Sequence, residues 1–345
     1  MSLVILSLIL TAIAVGFAAL FWQLFKNNTI RGHDQFHIRI VAHSRGWLDE
    51  HLPVVTFYLV YPRFIHSEMM THKDFSRSAA SSRAIPVAKM LSQVWNNPAM
   101  PIYWGMNQKG MQAEHCFTGW KANFLKNLWQ LCGRTVCIFV WVAMKMGLHK
   151  QTANRMLEPW QLMHVTLTTN KLANFFNLRC HKDAQPEIRW LAERMREAVN
   201  CSTPVRLIQG EWHLPWITDE DYTLASHYLN QASLPYTTTE LLKKMSAARC
   251  ARSSYANFDG ERSVAGDLNT YAKLVESEPV HASPCEHQCT PDLLVYEPVI
   301  DTRVAEEEGA NRVGFVRQWS NWELHGNLTG YIQYRNTIPN HYKLD

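Results

Sequence analysis

Between Leu3 and Phe25 the chain carries no charged residue, and only Ser7, Thr11 and Gln23 are polar. A helix rises about 1.5 Å per residue, so this run can cross a hydrocarbon core of roughly 30 Å. No Lys or Arg precedes it, whereas Lys26 and Arg31 follow. That asymmetry predicts a membrane anchor, with the residues after it on the cytoplasmic side. A cleaved signal would have a positive leading region, a shorter apolar core and a small-residue cleavage site. The other way to satisfy such a run is to bury it in protein as a core helix. The expected division is an anchor and linker over 1–30 and a folded domain over 31–345.

The 345 residues are 47% hydrophobic and include 13 Trp, 14 Phe and 12 Tyr, which excludes global disorder. A formal charge of +4 without runs of like charge gives no reason to expect a nucleic-acid partner. The eight Cys are irregularly spaced and fit free thiols in a reducing compartment. There is no internal repeat, no low-complexity tract and no Gly-rich phosphate fingerprint, so a dinucleotide here would not sit on a Rossmann unit.

His37–Val41 and Val54–Val60 are β-branched and aromatic, and read as strands. Pro62 suits the first turn of a helix expected from Arg63 to about Asp74, with Glu68 and His72 on one face. Val87–Trp95 starts another helix. Residues 119–147 predict a long one, rich in Trp, Phe, Leu and Val; its Lys121, Lys126, Arg134 and Lys145 favour a core-facing over a transmembrane reading. His164–Thr169 alternates as a strand does. Asn170–Leu178, Pro186–Val199, 239–252 and Asp267–Glu276 read as helices. Residues 200–240 hold turn formers and a Trp-rich patch, and 318–338 suggest a strand pair turning at Gly326-Asn327. The fold class expected is α+β, a mixed or antiparallel sheet flanked by long helices.

Thr71 to Arg83 packs three bases, an imidazole and five hydroxyls into one stretch. Hydroxyls, guanidinium and backbone N–H groups together suit an anion such as phosphate. By themselves Ser76, Ser81 and Ser82 are equally good turn formers, bonding their own backbone. Arg179 by itself is equally a surface partner for Asp183 or Glu187. Cys285, His287 and Cys289, with His281 nearby, would on a strand share a face but give only three ligands, so no metal site is expected.

Tyr61–Arg83 resembles the signature of the flavin-dependent thymidylate synthases. His72, Ser76, Ser81 and Arg83 match that pattern, while Thr71, Lys73, Ser78 and Ala79 depart from it. Asn174 to Arg179 and Ala184-Gln185-Pro186-Glu187-Ile188 resemble the family's second signature closely. Gln151–Arg155 resembles a segment ending in a nucleotide-binding Arg; the counterpart is Asn154 or Arg155, and charge favours Arg155. Ser246–Tyr255, Asp267–Glu276 and His281–His287 resemble the family's N-terminal region, displaced to the C-terminal side. The resemblance therefore implies a circularly permuted, phage-type relative, with 246–290 standing for the usual N-terminus and 31–345 forming the flavin- and nucleotide-binding domain.

The resemblance implies a reductive methylation of dUMP to dTMP, with FAD as cofactor and NADPH and methylenetetrahydrofolate as co-substrates. It assigns Glu68, Ser81, Ser82, Arg83, Arg155 and Arg179 to dUMP, with Arg179 catalytic through polarisation of the pyrimidine ring. It assigns Thr71, His72, Lys73, Asn170, Asn174, His287 and Cys289 to FAD. A homotetramer sharing its sites between subunits is implied as well. The departures at Thr71, Lys73, Ser78 and Ala79 leave two further expectations open: action on another pyrimidine nucleotide, or a membrane-tethered binding protein without turnover.

Overall fold

The computed structural model describes residues 35–232, 234–255, 263–300 and 313–342. The expected anchor at Leu3–Phe25 lies outside the described residues. Among the described residues the main sheet has five strands: β1 (His37–Gly46), β2 (Val54–Pro62), β3 (Ser76–Ala79), β4 (Leu162–Thr169) and β5 (Val205–Leu207). Their spatial order is β3-β4-β2-β1-β5, with every pair antiparallel except β1–β5. Every β2 residue but Tyr58 is buried, which is why its sequence is apolar almost throughout rather than alternating.

The helices are α1 (His66–Met70), α2 (Val87–Asn96), α3 (Gly119–Lys145), α4 (Lys150–Ala153), α5 (Ala173–Arg179), α6 (Pro186–Asn200), α7 (Asp219–Ala232), α8 (Thr238–Ala251) and α9 (Val264–Val275). Phe57, Leu59 and Tyr61 of β2, Val165 and Leu167 of β4, Phe175 of α5 and Ile188, Leu191 and Met195 of α6 meet in one core. Each fully buried side chain of this size contributes about 1.5–3 kcal/mol relative to exposure. Two short two-stranded sheets complete the fold, β6 (Cys289–Pro291) with β9 (Tyr331–Gln333) and β7 (Leu294–Ile300) with β8 (Val313–Trp319). The α+β class and the mixed sheet flanked by helices are as expected.

Four local expectations are corrected. The helix expected to Asp74 ends at Met70, where the Thr71 hydroxyl donates to the Glu68 carbonyl at 2.7 Å and closes the last turn. The polar stretch after it contains strand β3, whose Ser76 and Ser78 turn inward onto polar partners, so hydroxyls fill positions usually held by β-branched residues. Residues 219–232 form α7, with Asp219, Glu220 and Asp221 at its positive end. Finally, 318–338 is not a hairpin. Trp319 ends β8, and Tyr331–Gln333 pairs instead with β6, because Asp292 draws Asn321 and His325 onto the β6–β7 connection.

The long helix also departs from expectation. Ala122, Gly133, Cys137 and Val140 of α3 are buried, but Trp120, Phe139 and Trp141 are exposed. One stripe of α3 faces the core and much of the rest faces outward.

The segment at 246–255 is locked in place by charge. Arg249, 5% exposed, donates to both carboxylate oxygens of Asp221 at 2.7 Å and to Asp267 at 2.9 Å. Arg252 reaches the second oxygen of Asp267 at 2.6 Å. These contacts tie α7, α8 and α9 together.

Candidate active site

The connection after α1 carries the chain from the Pro62 end of β2 to Ser76, which pairs with Thr168 near the end of β4. Helix α5 starts just beyond that end, so its last residue, Arg179, meets the α1–β3 connection. Arg179 there donates from Nη1 to Glu68 at 2.8 Å, from Nε to His72 Nε2 at 3.0 Å and from Nη2 to the Thr71 hydroxyl at 3.2 Å. A guanidinium has five N–H groups, so two are left for another acceptor. Because His72 Nε2 accepts, its proton sits on Nδ1 and the ring is neutral. Burial, followed by the Arg179 and Arg77 charges, lowers its pKa, consistent with that state. The His72 ring is fixed by Phe175 at 4.9 Å and Phe75 at 5.6 Å.

Beside this cluster lies a cavity of about 620 Å³ lined by Phe64, Glu68, Tyr103, Gln112, Arg179 and Gln185, among others. Its far wall is the segment 101–113. Buried Glu187 holds that wall by accepting from the Ile102 N–H at 2.8 Å, and the Gln112 amide donates to the Asp183 carbonyl. Sequence reasoning quoted Gln185 and Glu187 as motif residues but missed Tyr103 and Gln112, which carry no signal of their own.

A second cavity, of about 570 Å³, is lined by Ser81, Arg83, His149, Lys150, His281 and Ser283 with a few apolar neighbours. Lys150 Nζ lies 3.4 Å from the Ala84 carbonyl, next to Arg83 in the chain. Three cationic or imidazole groups from two distant segments thus join the Ser81–Arg83 loop. Asn154, not Arg155, supports that loop, donating to the Ser82 and Ile85 carbonyls at 2.8 Å each. Arg155 is mostly exposed and pairs with Glu158 at 3.6 Å. The structure does not bring Arg155 into this cavity's lining.

His287 is fully buried, its ring nitrogens bonded to Ser78 at 3.0 Å and Thr168 at 2.9 Å. Thr168 meets Thr56 at 2.6 Å, Thr56 meets His213 at 2.8 Å, and His213 reaches Ser44 at 2.9 Å. This chain of polar groups crosses β3, β4, β2 and β1 inside the protein. Burial pushes both histidines down to about 3. Cys289 is also fully buried, and burial raises its thiol pKa. His287 and Cys289 are therefore inside the chain and have no hydrogen bond to Arg179, whereas Thr71, Lys73 and Asn174 are exposed. Asn170 donates to the Thr329 carbonyl at 2.8 Å, and its buried Oδ1 has no hydrogen-bond partner among the described residues. Ser82 is buried. Cys285 sits in a 3-10 turn, not on a strand, and no group of three or more metal-ligating side chains converges among the described residues.

Residues 13–205 match the family described as thymidylate synthase complementing protein. The chain belongs to that family. The match spans the α1–β3 connection and α5, the two segments joined through Arg179. No curated protein matches the chain. Among solved structures, it is similar to the UMP/dUMP methylase PolB from Streptomyces cacaoi bound with 5-Br UMP. That likeness is 15% identical, covers 48% of this chain and 88% of the other, and has a TM-score of 0.38. It is also similar to thymidylate synthase X from Helicobacter pylori with FAD and dUMP, at 15% identity, 42% and 67% coverage and a TM-score of 0.29.

Proposed function

We propose that the chain is an FAD-dependent enzyme converting dUMP to dTMP, with methylenetetrahydrofolate as one-carbon donor and NADPH as reductant. The observation that carries this reading is the Arg179 cluster, in which residues of both family segments orient one guanidinium at the mouth of a cavity. Its two remaining N–H groups suit a pyrimidine carbonyl, where they would stabilise charge developing on the ring. Glu68 and neutral His72 hold the fork in one orientation, and Phe64, Pro101 and Tyr103 supply walls for a flat ring.

The dUMP phosphate suits the second cavity, where Ser81, Arg83, Lys150 and His281 offer donors and positive charge. In the same reading Ser82 supports the loop by its carbonyl, and Arg155 stands outside it. The two cavities have no lining residue in common, which favours a site assembled from more than one subunit, as in a homotetramer. FAD is chemically compatible with the residues available. Asn170 offers a buried carbonyl oxygen without a partner among the described residues, and exposed Thr71, Lys73 and Asn174 lie close to His72 and Arg179 in sequence. These residues would hold the flavin, which when bound supplies the hydride. His287 and Cys289 would act from inside the protein, by fixing β3 and β6, rather than by contact.

A circular permutation fits the way the 246–290 region packs onto the sheet through His287. The run at Leu3–Phe25 would tether the 31–345 domain to a membrane from the cytoplasmic side. One observation favours a second reading, action on another pyrimidine nucleotide. Ser78, at a departed motif position, spends its hydroxyl on His287, and Ala79 next to it offers none. Incubating the FAD-loaded protein with dUMP, methylenetetrahydrofolate and NADPH separates these readings. Formation of dTMP supports the first, a different modified nucleotide the second, and no product with any pyrimidine monophosphate rejects both.

A further inference from the structure

On α3 the residues Trp120, Phe124, Leu128, Ile138 and Val142, with Met146 capping its C-terminal end, are all exposed, between 43% and 82%. Their spacing of four residues, with one step of ten between Leu128 and Ile138, keeps them on one side of the helix, opposite the buried Gly133, Cys137 and Val140. The helix is thus apolar on both faces. It is long and apolar enough to cross a membrane. Yet its inner stripe is fixed to the core, with Gly133 lying directly against Trp160, so lipid can reach only the outer side. An apolar groove of about 310 Å³ between α2 and α3, lined by Leu91, Trp95, Ile138 and Trp141, extends that side.

Charge selects the occupant. From Glu114 to Glu158 there is no acidic residue in between, but Lys121, Lys126, Arg134, Lys145, Lys150 and Arg155 all fall there. Lys121 lies over Trp120 at 5.9 Å near one end of α3, and Lys145 over Trp141 at 5.6 Å near the other. A second copy packed on this face would bring like charges together. A bilayer with anionic headgroups offers hydrocarbon to the stripe and negative charge to the bases beside it. We infer that the outer face of α3 docks in the plane of an anionic membrane surface. This inference stands apart from the proposed reaction and from the Leu3–Phe25 tether.

Hydroxyl-radical footprinting of the full-length chain, read by mass spectrometry, tests it on vesicles of phosphatidylcholine alone or mixed with phosphatidylglycerol. Oxidation of Trp120, Trp141 and Met146 is expected to fall about tenfold on the mixed vesicles, with exposed Trp322 and Tyr296 unchanged. High salt is expected to reverse the protection, since it screens the surface charge. A K121E/R134E/K145E variant is expected to lose roughly a hundredfold in affinity for the mixed vesicles, at about fivefold per base. The salt series on the unaltered chain gives the same information should the variant misfold. Equal protection on neutral vesicles, or none on either, overturns the inference. So does protection without lipid, whether in a monomer covered by its own N-terminal run or in an oligomer of the chain.

Discussion

Arg179 Nε donates to His72 Nε2 at 3.0 Å, joining the last residue of α5 to the connection that follows α1. The bond requires a neutral imidazole, so the orientation of the guanidinium depends on a group that titrates. Burial and the neighbouring guanidinium charges both disfavour the imidazolium. Protonation would set two positive groups against each other and release the fork.

The first prediction concerns that guanidinium. Arg179→Ala is expected to cut turnover by about a hundredfold or more, the scale of losing a fixed donor to developing charge. Arg179→Lys keeps the charge but not the fork, and is expected to recover little of it. Rates of dTMP formation, with thermal unfolding as a control for the fold, check both.

A second prediction follows from the protonation state of His72. Its folded pKa lies below 6.5, so the neutral ring persists at pH 7 and is lost as pH falls through the lowered value. Turnover is expected to decline on the acid side through His72 protonation. His72→Gln, which cannot titrate, is expected to give a lower rate without that limb. A pH–rate profile of the two proteins is the measurement, and an unchanged acid limb in the variant would remove His72 from this role.

The buried pair His213 and His287 predicts how stability depends on pH. In the unfolded chain each ring takes a proton near pH 6.5, whereas in the folded one it does so only near 3. Their contribution is complete above 6.5 and is lost as pH falls, at about 1.4 kcal/mol per unit and ring. Between pH 7 and pH 5 the two together are expected to cost about 4 kcal/mol. Urea midpoints at the two pH values measure this, and His213→Gln is expected to flatten the slope.

Much of this was legible in the sequence, and the failures have physical causes. The central strands and α6 were readable because their burial writes itself directly as apolar pattern, as in Val54–Val60 and in Ile188, Leu191 and Met195. Arg179, His72 and Glu68 were found through motif resemblance, and the structure brings them together. Strand β3 was hidden because Ser76 and Ser78 are held by polar contacts, Ser78 with a histidine far along the chain, which no local propensity records. The outward face of α3 was hidden for the opposite reason, since apolar residues on both sides of a helix look like core. Lys150 and His281 join Arg83 only through the fold.

The triad at Arg249 gives a prediction on stability alone. Its guanidinium holds two buried carboxylates, Asp221 and Asp267, in place. Arg249→Met would leave both without their main counter-charge, and such losses typically cost about 3–5 kcal/mol. Denaturant midpoints are expected to fall accordingly. The protein that remains folded is expected to keep its KM for dUMP, because Arg249 lines neither cavity.

Lys150 supplies the last prediction, which tests where the phosphate binds. Its ammonium lines the cavity that also holds Ser81 and Arg83, and among the described residues its hydrogen-bond partner is the Ala84 carbonyl at 3.4 Å, a long contact that leaves donors available. A charge-assisted hydrogen bond to phosphate is worth about 1.5–3 kcal/mol, so Lys150→Ala is expected to raise KM for dUMP by roughly ten- to a hundredfold. Because Lys150 and Arg179 line different cavities, kcat at saturating dUMP is expected to change little. Deoxyuridine has no phosphate, and its weak binding is expected to be the same in variant and parent. A parallel loss of deoxyuridine binding would mean that Lys150 shapes the loop and does not hold the anion.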